Sequence, residues 1–215
     1  MSDAVEVLHR IAAWSPYFRV TTGPVDDAWR PTSELRDPAT RDALVSGMAA
    51  RMGTGEPRVA ASTWFFGYVA RLWSVAVGSV TDSRRCICLD PDQVLWRDDA
   101  GLRIHIVTPE LGDDTATEVL DRQVEPLVAA WRDIVAPGLM WGNTASALIG
   151  AGRVIGPDAR PLVDALLADA RLVHTIDRPT GRRRSCCLYY RTPSGGVCGD
   201  CVFPTAPRPQ PKEIL

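Results

Sequence analysis

The chain is poor in lysine and histidine: Lys212 is its only lysine, and His9, His105 and His174 are its 3 histidines. Basic charge is therefore almost wholly arginine. With a formal net charge of −2, no global positive field would draw the protein to nucleic acid or anionic lipid. The histidines are scattered, with no pair at metal-ligand spacing. Paired catalytic carboxylates, a serine nucleophile elbow, a P-loop and internal repeats are all missing, which removes the commonest hydrolase and nucleotide-binding readings. Gly150-x-Gly152-x-x-x-Gly156 lacks the strand–loop–helix context of a dinucleotide fingerprint, so no nicotinamide site is expected. The first fourteen residues have neither a positive n-region nor an unbroken apolar h-region. No secretory signal is expected, the location reads as cytoplasmic, and cysteines there stay reduced.

An uninterrupted apolar span is also missing. Residues 59–80 come nearest, but Arg71 lies near their centre, with Ser62, Thr63, Ser74 and two glycines nearby, so a buried core helix is expected rather than a transmembrane segment. Arg71 then needs a partner or a route to solvent; the functional alternative is an arginine aimed at an anionic substrate.

What is present fits an ordinary globular protein: 46% hydrophobic and 23% charged residues over 215 positions. Apolar spacing predicts a helix over residues 2–14, capped by Ser2, with Val5, Leu8, Ile11 and Ala12 as its stripe. Proline and glycine break residues 15–33 into loop or extended chain. A second helix is expected over 38–52, with Pro38 in its first turn, Leu44, Val45 and Met48 on one face, and residues 53–57 ending it. Short β-rich runs follow over 86–107, with a hairpin connection at Asp98-Asp99-Ala100-Gly101. Alternation puts Leu102, Ile104 and Ile106 on one face and Arg103, His105 and Val107 on the other. Residues 114–135 return to helical spacing with a kink or split at Pro126. Further helices are expected from about Asn143 or Thr144, and over 158–170 with Leu162, Leu166 and Leu167 inward. The fold class is α+β, with helices flanking a small antiparallel sheet. Residues 1–180 form the scaffold, 181–203 a four-cysteine segment and 204–215 a Pro-rich tail.

The four-cysteine segment carries the chemistry. Four of the 6 cysteines stand as Cys186-Cys187-x10-Cys198-x2-Cys201. A C-x2-C turn lets two thiolates reach one metal, and the intervening Pro193, Ser194, Gly195 and Gly196 allow the chain to return with the second pair. Four thiolates suit a tetrahedral zinc or a 2Fe–2S cluster. Adjacent cysteines diverge, which favours the wider two-iron group, while zinc stays open as a structural knuckle. Cys86 and Cys88 share a strand face and read as packing residues.

The motif, near the C-terminal end of a chain of this size, resembles the FhuF-like ferric iron reductases, the ferric-siderophore reductase family. Leu139-Met140-Trp141-Gly142-Asn143 is similar to a tryptophan-glycine-asparagine element upstream of the cluster in such proteins. The resemblance implies a 2Fe–2S cluster on Cys186, Cys187, Cys198 and Cys201, and one-electron reduction of Fe³⁺ in a ferric siderophore. Without a nicotinamide site, electrons would come from an external donor, a ferredoxin-like protein or a reduced carrier. A siderophore importer is a further candidate for transient contact. Arg182, Arg183 and Arg184 directly precede the motif; with Trp141 and Asn143 they are the candidate docking face. Two rival readings are a zinc-stabilised binding module without enzymatic activity and an iron–sulfur electron carrier without a siderophore site.

Overall fold

A computed structural model describes residues 3–99 and 101–207. The proposed Ser2 cap, the Ala100 position of the hairpin and the end of the Pro-rich tail lie outside the described residues.

The organising element is a 27-residue helix, α3 (Pro57–Ser83), packed by α1 (Asp3–Ile11), α2 (Pro38–Met52) and α5 (Pro137–Ile155). Pro57 starts it in the first helical turn and Arg84, at φ 65°, stops it in the left-handed region. No helix among the described residues is long and apolar enough to cross a membrane. Trp73, Tyr68 and Phe65 on α3 are fully buried. Trp64 stacks on Tyr68 and on Trp131 and meets Trp96 edge-on, joining α3 to helix and sheet. The buried polar tips of Trp64, Trp73, Trp131 and Tyr68 have partners, whereas the Trp96 indole N–H has none. The Trp73 indole donates to the Thr144 carbonyl, the Trp131 indole to that of Leu35, and the Trp64 indole to Asp98. Tyr68 and Thr32 donate to Gln123 Oε1, whose amide donates to the Leu89 carbonyl.

Arg71 is half-buried. Its Nη1 donates to the Gly67 carbonyl at 3.0 Å and its guanidinium lies 5.0 Å from the Tyr17 ring centre, so a backbone oxygen and a π face stabilise it. Asp37 caps α2 through the Thr40 N–H, and Gly53 ends it at φ 63°.

The sheet is small, in the strand order β1-β5-β4-β2. Strands β4 (Val94–Asp98) and β5 (Leu102–Ile106) form the expected antiparallel hairpin, and β2 (Arg30–Pro31) extends it antiparallel. The exception is β1 (Thr21–Thr22), which joins the sheet at its edge by pairing in parallel with β5. A separate antiparallel pair joins β3 (Cys86–Ile87) to β6 (Leu111–Gly112). Leu102, Ile104 and Ile106 point inward as alternation requires. His105, expected on the other face, is buried as well, since Trp29 lies over its ring at 5.3 Å and Thr21 Oγ1 meets its Nδ1 at 3.0 Å. Burial pushes its pKa down and keeps it neutral.

Helical boundaries differ in instructive ways. The α1 stripe is Ala4, Val7, Leu8 and Ile11, with Val5 only half-buried. The segment over 114–135 splits where expected: a π-helical stretch, Thr117–Val124, passes into α4 (Glu125–Trp131), with Pro126 in the first turn of α4. Helix α5 begins at Pro137, six residues before the expected Asn143, because a proline at the first helical position needs no N–H partner. It carries Gly150 and Gly152 in its interior, where Gly152 lies directly against Val163 of α6 (Arg160–Leu166). Helix α6 is shorter than 158–170, and Val163 and Leu166 are its buried residues, with Leu162 and Leu167 half-buried.

Candidate functional site

The cysteine segment is held against the N-terminal turns of α3 and α5. A hairpin of β7 (Ile176–Asp177) and β8 (Arg182–Arg183) leads into it, turning through Gly181 at φ 66°. Strand alternation sends Arg183 inward, while Arg182 and Arg184 stay exposed. The Arg183 N–H donates to the Asp200 carbonyl, and the Cys201 N–H to that of Cys198, which closes the C-x2-C turn. These bonds fold the second cysteine pair back beside the first, the return the glycine-containing loop was expected to allow. Within that loop Gly195 lies so close to the Tyr189 carbonyl that a Cβ has no room. Tyr190 braces Phe203 edge-on, and Arg191 reaches Glu56 at 2.8 Å, tying the loop to the start of α3.

Three of the four sulfurs accept hydrogen bonds. The Leu188 N–H donates to Cys186 Sγ (3.3 Å), the Phe203 N–H donates to Cys201 Sγ (3.4 Å), and Arg183 Nη2 donates to Cys198 Sγ. Leu188 holds the left-handed region at φ 67°, which costs about 1–2 kcal/mol for a side chain with a Cβ. Cys187 Sγ and Cys198 Sγ lie 3.8 Å apart, so the sulfur contact joins the two halves of the motif. Among the described residues no three His, Cys, Asp or Glu side chains converge on a single point. Cys201 is buried, and the other three are half-buried near the surface. Burial pushes the Cys198 thiol up to about 12 against the downward pull of Arg183, so the free protein holds it protonated. A bound metal displaces that proton.

The tryptophan-glycine-asparagine element is the surface on which this segment sits. Gly142 leaves no room for a Cβ beside Ser185 Oγ, so the chain just before the cysteines runs directly against α5. Asn143 is 1% exposed; its Nδ2 donates to the Ser62 carbonyl and hydroxyl (3.1 Å each), and its Oδ1 accepts from Arg183 Nη1 at 2.8 Å. Ser62 Oγ in turn donates to the Cys187 carbonyl at 2.7 Å. Trp141 is half-buried under Arg171, which Asp121, Glu125 and Asp169 hold.

The expected docking face therefore divides. Arg183, 3% exposed, and Asn143 lie beneath the cysteines and cannot touch a partner. Arg182, Arg184 and the edge of Trp141 remain at the surface. Ser62, buried on α3, has no signal in the sequence beyond being a hydroxyl in an apolar helix. Cys86 is fully buried in β3 with its thiol pushed by burial up to about 12, and Cys88 is half-buried beside Gly112, so neither joins the four-cysteine segment.

A segment of four cysteines, three of them accepting N–H bonds at the edge of an α+β scaffold, fits an iron–sulfur redox protein: N–H···S bonds are how such sites hold and tune thiolate ligands. Residues 183–203 match the family model described as the FhuF 2Fe-2S C-terminal domain. The resemblance to the FhuF-like ferric-siderophore reductases thus holds over the C-terminal segment, and the match points to a 2Fe–2S cluster there. No curated protein matches the chain.

Proposed function

We propose that Cys186, Cys187, Cys198 and Cys201 hold a 2Fe–2S cluster through which the protein reduces Fe³⁺ in a ferric siderophore to Fe²⁺ in the cytosol. The observation that carries this reading is the matched segment itself, four cysteines, three of them half-buried near the surface, with N–H donors aimed at three of the sulfurs. Held by Cys186, Cys187, Cys198 and Cys201, the cluster would supply one-electron transfer from an external donor, a ferredoxin-like protein or a reduced carrier, to the ferric ion. Hard oxygen donors hold Fe³⁺ far better than Fe²⁺, so that electron loosens the chelate without any acid–base residue.

The chain's own groups bind and orient. The Leu188 and Phe203 N–H groups and Arg183 fix the directions of three sulfurs. Exposed Arg182 and Arg184 supply positive charge for an anionic chelate or an acidic donor protein, and the exposed part of Trp141 is a further candidate contact. The same rim could meet a siderophore importer in passing.

An anaerobic visible spectrum with iron and acid-labile sulfide counts tests the cofactor. Charge-transfer colour with equal iron and sulfide is expected, whereas a colourless protein with one zinc would overturn the reading and leave a structural knuckle. The activity is then tested by giving reduced protein a ferric siderophore and a ferrous chelator. Release no faster than from Cys198→Ser would reduce the protein to an electron carrier.

A further inference from the structure

Arg183 is the one member of the arginine run that the fold buries, and its three donor positions are used unequally. Nη2 donates to Cys198 Sγ and Nη1 to Asn143 Oδ1. Nε lies 3.1 Å from Asp200 Oδ2 but has no aligned acceptor. A guanidinium whose task was to pair with Asp200 would turn its fork to the carboxylate and bond it twice. Here the aligned donors go to a sulfur and to a neutral amide, and Asp200 balances the charge from the side. The face of Phe66, 5.8 Å away, contributes to closing this environment. A guanidinium carries its positive charge at any ordinary pH, so the cation is fixed in place by these contacts.

We infer that Arg183 sets the reduction potential of the site, holding it up through a charge-assisted hydrogen bond to Cys198, and that Asn143 and Ser62 are positioning residues that aim it. This rests on the cluster reading above. The cluster gains one negative charge when it takes one electron from the donor. A cation bonded to a ligand sulfur is attracted more strongly to the reduced form, and in a low-dielectric setting that difference is large. Asp200, a half-buried carboxylate on the other side of the same guanidinium, acts with the opposite sign. Asn143 cannot drift, because its amide is bonded to the α3 backbone and to Ser62, whose hydroxyl also holds the Cys187 carbonyl. One polar chain thus connects α5, α3, Arg183 and both halves of the cysteine motif.

The test is the midpoint potential of full-length protein with its cluster, titrated anaerobically with dithionite and mediator dyes and followed by absorption and by EPR of the reduced state. Arg183→Gln should shift the one-electron equilibrium at least tenfold toward the oxidised form, about 59 mV. Arg183→Lys should recover part of that shift. Asn143→Ala should move it the same way as Arg183→Gln but less, and Asp200→Asn should move it in the opposite direction. Opposed signs for the Arg183 and Asp200 variants are what a purely structural role would not produce. If Arg183→Gln fails to retain its cluster, Arg183→Lys and Asp200→Asn still carry the comparison. Loaded wild-type protein with Arg183→Lys and Asp200→Asn shifting together, or neither shifting threefold, overturns the inference and leaves the cluster standing. Wild-type protein that takes up no cluster overturns both.

Discussion

Replacing Gly142 by alanine sets two effects of known size against each other. Gly142 is in the interior of α5, where alanine should stabilise the helix by about 0.8–1.0 kcal/mol. The added methyl meets Ser185 Oγ at a separation no pair of atoms tolerates, while Ser185 Cβ stays at an ordinary 3.5 Å. The obstacle is thus one hydroxyl on a half-buried residue. If Ser185 rotates, the cost is an off-rotamer side chain of about 0.5–1.5 kcal/mol. If the adjoining cysteine segment must move, overpacking costs about 1–3 kcal/mol. Gly142→Ala alone should therefore fall between neutral and about 2 kcal/mol destabilising. With Ser185→Ala added, the clash disappears and the helix gain remains, about 1 kcal/mol over Ser185→Ala alone. The measurement is a double-mutant cycle by urea unfolding. It should give a coupling of about 1–3 kcal/mol, each 1 kcal/mol being worth about 2–4 °C in Tm for a chain of this size. Additivity within about 0.5 kcal/mol would refute the close approach of α5 and the cysteine segment.

Further expectations concern the tether, the core and the remaining cysteines. Arg191 holds the Glu56 carboxyl below the usual carboxylate range, so the tether's contribution is complete above the unfolded value of ~4.3 and is lost as pH falls through the lower folded value. Both side chains are about one-third exposed, so after solvent screening Glu56→Gln should cost no more than about 0.5 kcal/mol, showing chiefly as faster hydrogen exchange over 189–196. Trp64→Ala removes a ring stacked on Tyr68 and Trp131 and should cost about 3–5 kcal/mol in urea titration. Asp37→Ala removes the α2 cap and should lower the unfolding midpoint in the same assay. Cys86→Ala with Cys88→Ala should leave iron and sulfide content unchanged, and Cys187→Ser or Cys198→Ser should abolish both; iron loss from the first pair would bring Cys86 or Cys88 into the site.

Much of this protein was legible from local order. Pro38 starts a helix because a proline needs no hydrogen bond there. Pro126 divides one helical stretch for the same reason, and the C-x2-C turn closes on its own backbone bond. The apolar run over residues 59–80, broken by Arg71 and its hydroxyl residues, is a core helix, as those interruptions required. All of these depend on residues a few positions apart, and spacing reports them directly. The site's inner wall depends on residues that no spacing connects. Ser62, Gly142, Asn143 and Arg183 come from three distant stretches and meet only because α3 and α5 pack together. A run of three arginines reads as one exposed patch until a strand's alternation buries the middle one. His105 has the sequence environment of an exposed strand residue until Trp29 folds over it. Composition and short-range pattern thus determined the elements and the four cysteines. Which arginine faces those cysteines was decided by packing, because a buried charge is tolerable only where the tertiary structure gathers partners around it.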